Sequence, residues 1–131
     1  MIFVDSNIPM YLVGSEHPNK GVARRLLERA IAAREILVTD AEVLQEILHR
    51  YAAIARLDAI EPASRALLDV VDVVLPVERI DVEHARPLVT DARMSARDAI
   101  HVAIMRRHGV DQILTLDVGF DGLSGIERVR D

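Results

Sequence analysis

The sequence predicts an α/β fold in which helices pack against a buried parallel β-sheet, and three observations favour it. Short apolar segments alternate with longer segments of helical periodicity, so consecutive strands are joined by helical crossovers. Hydrophobic residues make up 50% of the chain but aromatic residues only 3%, which implies an aliphatic core typical of a sheet buried on both faces. The length of 131 residues suits one domain, which we expect to span 1–131.

The first half of the chain contains two predicted strands and four predicted helices. Apolar segments that end at a polar residue predict strands, and apolar residues at intervals of three and four predict helices. Proline is tolerated in the first helical turn, which allows for Pro9 and Pro62, and Asp40 can cap the helix that follows it. The predicted elements are strand 2–5, helix 7–13, helix 20–33, strand 36–39, a helix from Asp40 to about Leu57 and a helix from Pro62 to about Val71.

The second half contains three predicted strands and two predicted helices. Pro76 keeps the first of these strands short, whereas Ser95 and Gly109 supply the cap and the end of the second helix. The predicted elements are strand 73–77, helix 81–91, a helix from Ser95 to His108, strand 113–116 and strand 126–129.

Acidic residues lie where these elements meet. Asp5 and Asp117 end predicted strands, Asp98 lies in the first turn of a helix, and Glu46 lies on the helix after Asp40. Because the carboxyl ends of parallel strands meet at one edge of a sheet, we expect these acids to lie close together. Clustered carboxylates repel one another, and a hard divalent cation such as Mg²⁺ relieves that repulsion by accepting oxygen ligands. The pattern therefore indicates metal-dependent phosphodiester chemistry.

Four segments that carry these acids resemble the motifs of the PIN-domain ribonucleases, and among them the VapC toxins of bacterial toxin–antitoxin pairs. The segments are VDSNIPMYL, VTDAEVLQEILHRY, SARDAIHVAIM and ILTLDVGFD, and the resemblance that they carry extends over essentially the whole chain. In the second segment Glu46 follows Leu44-Gln45 as the family motif usually has it, and Glu42 is the alternative. The resemblance places the four family acids on Asp5, Glu46, Asp98 and Asp117.

The resemblance implies a three-layer α/β/α sandwich with a central parallel sheet. It also implies Mg²⁺- or Mn²⁺-dependent hydrolysis of single-stranded or structured RNA, a homodimer, and inhibition by a cognate antitoxin. On this interpretation the four acids bind metal directly or through water, and Glu46 can instead position the attacking water. His101 lies one turn after Asp98 and is expected to pack beside the site. Further candidates, as orienting or alternative site residues, are Asn7, Glu42, Thr115 and Asp121.

Two other functions are compatible with the fold. A non-catalytic PIN-like module that binds RNA or protein would tolerate the loss of one acid, but none is missing. A phosphatase with an aspartyl nucleophile needs an acid two residues after its first Asp and a lysine near a later strand. The chain has Asn7 and an early Lys20 instead, which argues against the phosphatase.

Composition excludes several classes of site. The chain has no cysteine, so disulfides, zinc–thiolate sites and thiol nucleophiles are excluded. The net charge of −5 argues against binding nucleic acid by bulk electrostatic attraction. The N-terminal segment lacks the features of a signal peptide, and no segment approaches the ~20 apolar residues of a membrane span. We therefore expect a soluble cytoplasmic protein.

Overall fold

The computed structural model describes residues 1–131 and contains five strands and six α-helices. The strands are β1 (Ile2–Val4), β2 (Leu37–Asp40), β3 (Val73–Leu75), β4 (Gln112–Leu114) and β5 (Glu127–Arg128). The helices are α1 (Asn7–Val13), α2 (Pro18–Ala32), α3 (Ala41–Ala53), α4 (Ile60–Leu68), α5 (Arg79–Thr90) and α6 (Ala96–Arg107). Two short 3₁₀ helices cover Leu57–Ala59 and Val118–Phe120.

The five strands form one parallel sheet in the order β3-β2-β1-β4-β5. The chain crosses the sheet in one direction from β1 to β3 and then returns to the other side of β1 for β4 and β5. Right-handed crossovers place α1 to α4 on one face, and the reversal of direction places α5 and α6 on the other. The helix contacts agree, because α1 packs against α2 and α4 while α5 packs against α6. The predicted α/β/α fold with a central parallel sheet is confirmed.

The core surrounds the central strand β1, whose three residues are all buried. Aliphatic side chains fill most of the core, as the composition predicts, and the only two phenylalanines, Phe3 and Phe120, are fully buried within it. Both tyrosines lie nearer the surface: Tyr51 is at the edge of the core, and Tyr11 is partly exposed. None of the six helices combines the length and hydropathy of a membrane span.

Helix α3 ends earlier than the sequence pattern predicts, at Ala53 rather than near Leu57. Ala55 adopts a left-handed conformation with φ of 57°, which stops the helix although no glycine marks the position. A 3₁₀ turn follows, and α4 begins at Ile60, so Pro62 lies inside its first turn instead of opening it. The predicted helix boundaries in this region are therefore wrong by several residues, whereas the predicted order of elements is correct.

Two other helices begin two residues earlier than predicted because of local caps. Pro18 opens α2, and the His17 side chain before it accepts a hydrogen bond from the Asn19 backbone N–H at 3.0 Å. Helix α5 begins at Arg79 because the Asp81 carboxylate accepts a hydrogen bond from the Glu78 backbone N–H at 2.8 Å.

Candidate active site

Asp5 directly follows β1, where the order of the sheet reverses. Strand β1 pairs with both β2 and β4, and this register places Asp5 beside Asp40 on one side and Thr115 on the other. Ligands bind in the crevice at such a switch point in open parallel sheets. The buried Asp5 carboxylate accepts hydrogen bonds from the Ser6 backbone N–H at 2.8 Å and from Thr115 Oγ1 at 2.7 Å. Its position is therefore fixed from two sides.

Asn7 and Thr115 link Asp5 to the segment after β4. The Asn7 side-chain amide donates to Thr115 Oγ1 at 2.8 Å and to Asp5 Oδ2 at 3.3 Å. Asn7 Oδ1 accepts from the Leu116 backbone N–H at 3.2 Å, and Thr115 Oγ1 accepts from the Asp117 backbone N–H at 3.1 Å. These bonds hold the two acids at the ends of β1 and β4 in one fixed arrangement.

All four acids that the sequence analysis selected line a single polar cleft of about 420 Å³. Residues from four parts of the chain meet there, because α3 and the first turn of α6 reach the same edge as β1 and β4. The lining also contains two arginines, Arg50 and Arg97. The acids of the cleft are Asp5, Glu46, Asp98 and Asp117.

The two alternative acids lie outside the cleft. Glu42 lies one turn before Glu46 on α3, and its carboxylate is 3.9 Å from Arg97 Nε at the rim. Asp121 accepts two hydrogen bonds from the Arg128 guanidinium, at 2.8 and 3.0 Å, and one from Arg130 at 3.5 Å. Through these contacts Asp121 links the loop after β4 to the last strand.

A buried Asp40–His101 pair lies beneath the cleft. Asp40 Oδ1 accepts from the Val43 backbone N–H at 2.8 Å, so the predicted cap of α3 is present. The other oxygen, Oδ2, lies 2.7 Å from Nδ1 of the fully buried His101 ring. His101 thus packs beside the site as expected from its helical spacing with Asp98. Its partner Asp40 was not predictable from the sequence, because no local pattern relates residues that are 61 positions apart.

The second ring nitrogen of His101 faces the cleft acids. Nε2 lies 3.6 Å from Glu46 Oε1 and 4.0 Å from Asp5 Oδ1, and neither Nε2 nor Oε1 has a hydrogen-bond partner within 3.5 Å. Burial lowers the pKa of His101, but the Asp40 contact and the nearby Glu46 and Asp5 charges outweigh burial and hold that pKa well above its ordinary value. The neighbouring carboxylates therefore favour the protonated form of this buried ring.

The charge on His101 changes the two acids beside it differently. Burial raises the pKa of Glu46, but the His101 contact outweighs it and leaves that pKa below its ordinary value. Burial dominates at Asp5 and raises the pKa of its carboxyl to about 6 despite the nearby His101. At Asp98 burial also raises the pKa, with His101 opposing it.

The donor groups of the cleft fit a hard divalent ion. Asp5, Glu46 and His101 bring one ligand-type atom each within 4.8 Å of one another. Hard divalent ions prefer oxygen ligands, and Nδ1 of His101 is already engaged by Asp40, so the chemistry favours the carboxylates as the ligand set. Carboxylate oxygens alone suit Mg²⁺ or Mn²⁺.

The raised pKa of Asp5 predicts how the stability of the metal-free protein depends on pH. Between about pH 4 and pH 6 the folded protein keeps a proton on Asp5 that the unfolded chain has released, so this group makes the free energy of unfolding fall as the pH rises. Urea unfolding in EDTA at several pH values should show this fall in the parent relative to Asp5→Asn. An identical pH dependence of parent and variant would contradict the assignment.

The fold and the cluster of acids at the switch point define the class of protein. The PIN-domain family model matches residues 2–126, and the chain therefore belongs to the PIN-domain family. Within that family its relatives are VapC ribonucleases: it is 58% identical to Ribonuclease VapC13 of Mycobacterium tuberculosis over 130 residues, which cover 98% of this chain and 99% of the relative.

Solved structures agree with this assignment. The toxin VapC20 of Mycobacterium tuberculosis, described as cleaving the sarcin-ricin loop, is 25% identical with a TM-score of 0.73 over 90% of this chain and 91% of its own. A chain of a toxin–antitoxin complex from Klebsiella pneumoniae has the same fold, with 17% identity and a TM-score of 0.67 over 97% of this chain and 96% of its own.

Proposed function

We propose that this VapC-type protein is an endoribonuclease that requires Mg²⁺ or Mn²⁺ and hydrolyses single-stranded or structured RNA. The observation that carries the proposal is the convergence of Asp5, Glu46, Asp98 and Asp117 on one cleft at the switch point of the sheet. Two relatives are named as ribonucleases, and VapC20 is described as cleaving the sarcin-ricin loop; both descriptions support the choice of substrate. We further propose that the chain forms a single domain and that it acts in the cytoplasm, where its RNA substrate is present.

Three of the acids, Asp5, Asp98 and Asp117, are proposed to hold the divalent ion directly or through water. When bound, the ion lowers the pKa of a water molecule and neutralises negative charge on the scissile phosphate. Asn7 and Thr115 hold the Asp5 carboxylate in place through the hydrogen bonds described above.

Glu46 is assigned to bind the ion or to position the attacking water. Its lowered pKa keeps it ionised at neutral pH, so it can accept a hydrogen bond or a proton from water. The geometry favours it over Glu42, because Glu46 lines the cleft whereas Glu42 turns toward Arg97. His101 supports Glu46 by keeping it charged in a half-buried position.

The metal requirement is tested with purified protein and single-stranded RNA. We expect cleavage with Mg²⁺ or Mn²⁺ and none in EDTA, since the cleft offers carboxylates but no cysteine nucleophile. Undiminished cleavage in EDTA would contradict the metal mechanism. Binding of RNA without cleavage in either ion would instead support the non-catalytic module.

A protein partner is proposed from the apolar surface that α3 and the following turn leave uncovered. Leu48, Ile54 and Leu57 are 52%, 60% and 67% exposed, whereas Ile47 and Tyr51 on the inner side of α3 are buried in the core. Exposed apolar patches of this kind mark interaction sites. We assign this patch to a cognate antitoxin, as the VapC resemblance implies, and propose that the toxin itself is a homodimer.

Co-expression with the neighbouring small reading frame tests the toxin role. A stable complex that lacks ribonuclease activity is expected, and Leu48→Ser with Leu57→Ser should weaken that complex, because both side chains lie on the exposed patch. Binding can be measured by co-purification and calorimetry. A full-strength complex with this double variant would move the antitoxin to another surface.

A further inference from the structure

A second depression adjoins the acidic cleft, between α1 and α3. It has a volume of about 250 Å³ and shares three lining residues with the cleft. Its remaining lining comes from Met10 and Tyr11 of α1 and from Tyr51 of α3. The shared residues are Ser6, Asn7 and Arg50. The two depressions therefore adjoin one another along these three residues.

Among the phenylalanine and tyrosine side chains only that of Tyr11 is not buried, and it lines the depression. The chain has two phenylalanines, two tyrosines and no tryptophan. Phe3 and Phe120 are fully buried in the core, whereas Tyr11 and Tyr51 both line the depression. The Tyr11 ring is partly exposed and packs at 5.2 Å from the His17 ring, with 37° between their planes. Aromatic faces beside a phosphodiester-cleaving site are suited to bind nucleobases.

Arg50 supplies a cation at the boundary of the two depressions. It lies one turn after Glu46 on the same face of α3, and its side chain is exposed. Arg97, the other arginine of the cleft, has Glu42 as a partner at 3.9 Å, whereas Arg50 forms no ion pair within 4.0 Å. An exposed guanidinium without a carboxylate partner is available for a phosphate oxygen.

We propose that this depression is a nucleotide-binding subsite of the ribonuclease. It takes the nucleotide next to the scissile phosphate of a single-stranded RNA: the base stacks on Tyr11, and Arg50 contacts a phosphate at the entrance to the acidic cleft. Tyr51 and Met10 form the apolar floor and wall on which the base rests. The inference rests on the proposed function, because it presumes an RNA that reaches the acidic cleft.

Tyrosine fluorescence reports directly on this subsite, since both tyrosines line it and no tryptophan is present. A short single-stranded RNA should quench that fluorescence when added with Mg²⁺ to Asp98→Asn protein, in which the RNA is expected to stay intact. In the same background Kd is measured from the anisotropy of a labelled RNA. Tyr11→Leu and Arg50→Gln are each expected to raise Kd by about tenfold, whereas Tyr11→Phe, which keeps the aromatic face, should bind like the parent.

Arg34→Gln is the matched control for the loss of a cation. Arg34 lies in the turn before β2, at the opposite edge of the sheet from the cleft, so its loss should leave Kd within about twofold of the parent. In the otherwise unmodified enzyme, Tyr11→Leu and Arg50→Gln should raise KM by a factor similar to the rise in Kd and leave kcat within about twofold, because neither side chain acts on the reacting atoms.

The outcomes separate the subsite from the proposed activity. If the parent cleaves RNA but Tyr11→Leu and Arg50→Gln match Arg34→Gln in both Kd and KM, the subsite is overturned and the nuclease stands. If the parent cleaves nothing yet RNA quenches the tyrosines in a manner that depends on Arg50, the subsite stands and the nuclease fails. Quenching by the antitoxin partner but not by RNA would overturn the subsite and assign the depression to that protein.

Discussion

Asp98→Asn is expected to lower RNA cleavage by at least about 100-fold while the protein stays folded. Replacing residues that only support metal ligands already reduces activity by about 10- to 100-fold, so losing a ligand should reduce it further. The hydrogen bond that anchors Asp98 runs from its own backbone N–H to Ser95 Oγ at 3.2 Å, and asparagine keeps it. The Asp5 carboxylate, in contrast, accepts three hydrogen bonds, so its replacement would disturb the structure as well.

Single-turnover cleavage and thermal unfolding of the same variants separate activity from folding. Burial and repulsion by neighbouring acids raise the pKa of Asp98. Removing its charge should therefore leave the melting temperature of the metal-free protein unchanged or raise it. It should also reduce the rise in melting temperature that Mg²⁺ produces by binding the folded state. Glu42→Gln and Asp121→Asn are the matched controls, since both acids lie outside the cleft. A comparable loss of cleavage in either control would contradict the assigned ligand set.

The sequence predicted the order of elements and the parallel sheet because both follow from local periodicity. A buried strand is a short continuous apolar segment and a helix repeats over 3.6 residues, and these patterns are visible without tertiary information. The end of α3 was not predictable in the same way. Ala55 takes a left-handed conformation that glycine or asparagine normally marks, so the residue type at this position does not indicate the end of the helix.

The acids at the strand ends were predictable because a parallel sheet gathers its carboxyl ends at one edge. This argument applies to Asp5 and Asp117, which flank the switch point. It could not separate Glu42 from Glu46, because the orientation of α3 on the sheet decides which of them faces the cleft. Nor could it predict that the turn after Asp117 directs Asp121 to the arginines of the last strand. Which acid of α3 faces the cleft, and which residues Asp121 contacts, both depend on tertiary contacts that leave no local pattern in the sequence.

Outside the cleft, an ion pair between a buried carboxylate and a partly exposed guanidinium joins α5 and α6. Asp81, in the first turn of α5, is fully buried and accepts hydrogen bonds from Arg107 Nε at 2.7 Å and Nη2 at 2.9 Å. Arg107 is the last residue of α6, and Glu78 Oε2 lies 3.7 Å from its Nη1. The Arg107 hydrogen bonds outweigh burial and lower the pKa of Asp81, so the carboxylate stays ionised at neutral pH.

Arg107→Ala is expected to lower the free energy of unfolding at neutral pH by more than the loss of an exposed ion pair does, because it leaves the buried Asp81 carboxylate without its partner. Arg79→Ala is the matched control: Arg79 also donates to a carboxylate, that of Glu83 at 2.8 Å, but its side chain is 91% exposed. Exposed pairs contribute about 0–1 kcal/mol, so this variant should unfold almost like the parent in urea.

The pH dependence of this difference tests its electrostatic origin. Since the folded state lowers the pKa of Asp81, the stabilisation by Arg107 is complete above the unfolded value of about 4 and is lost as the pH falls through the lower folded value. The gap between the parent and Arg107→Ala should therefore narrow below about pH 4. A gap that stays constant with pH would mean that Arg107 stabilises α5 and α6 through packing of its side chain. Equal stability of the Arg107→Ala and Arg79→Ala proteins at neutral pH would show that the Asp81–Arg107 pair contributes no more to the free energy of unfolding than an exposed pair does.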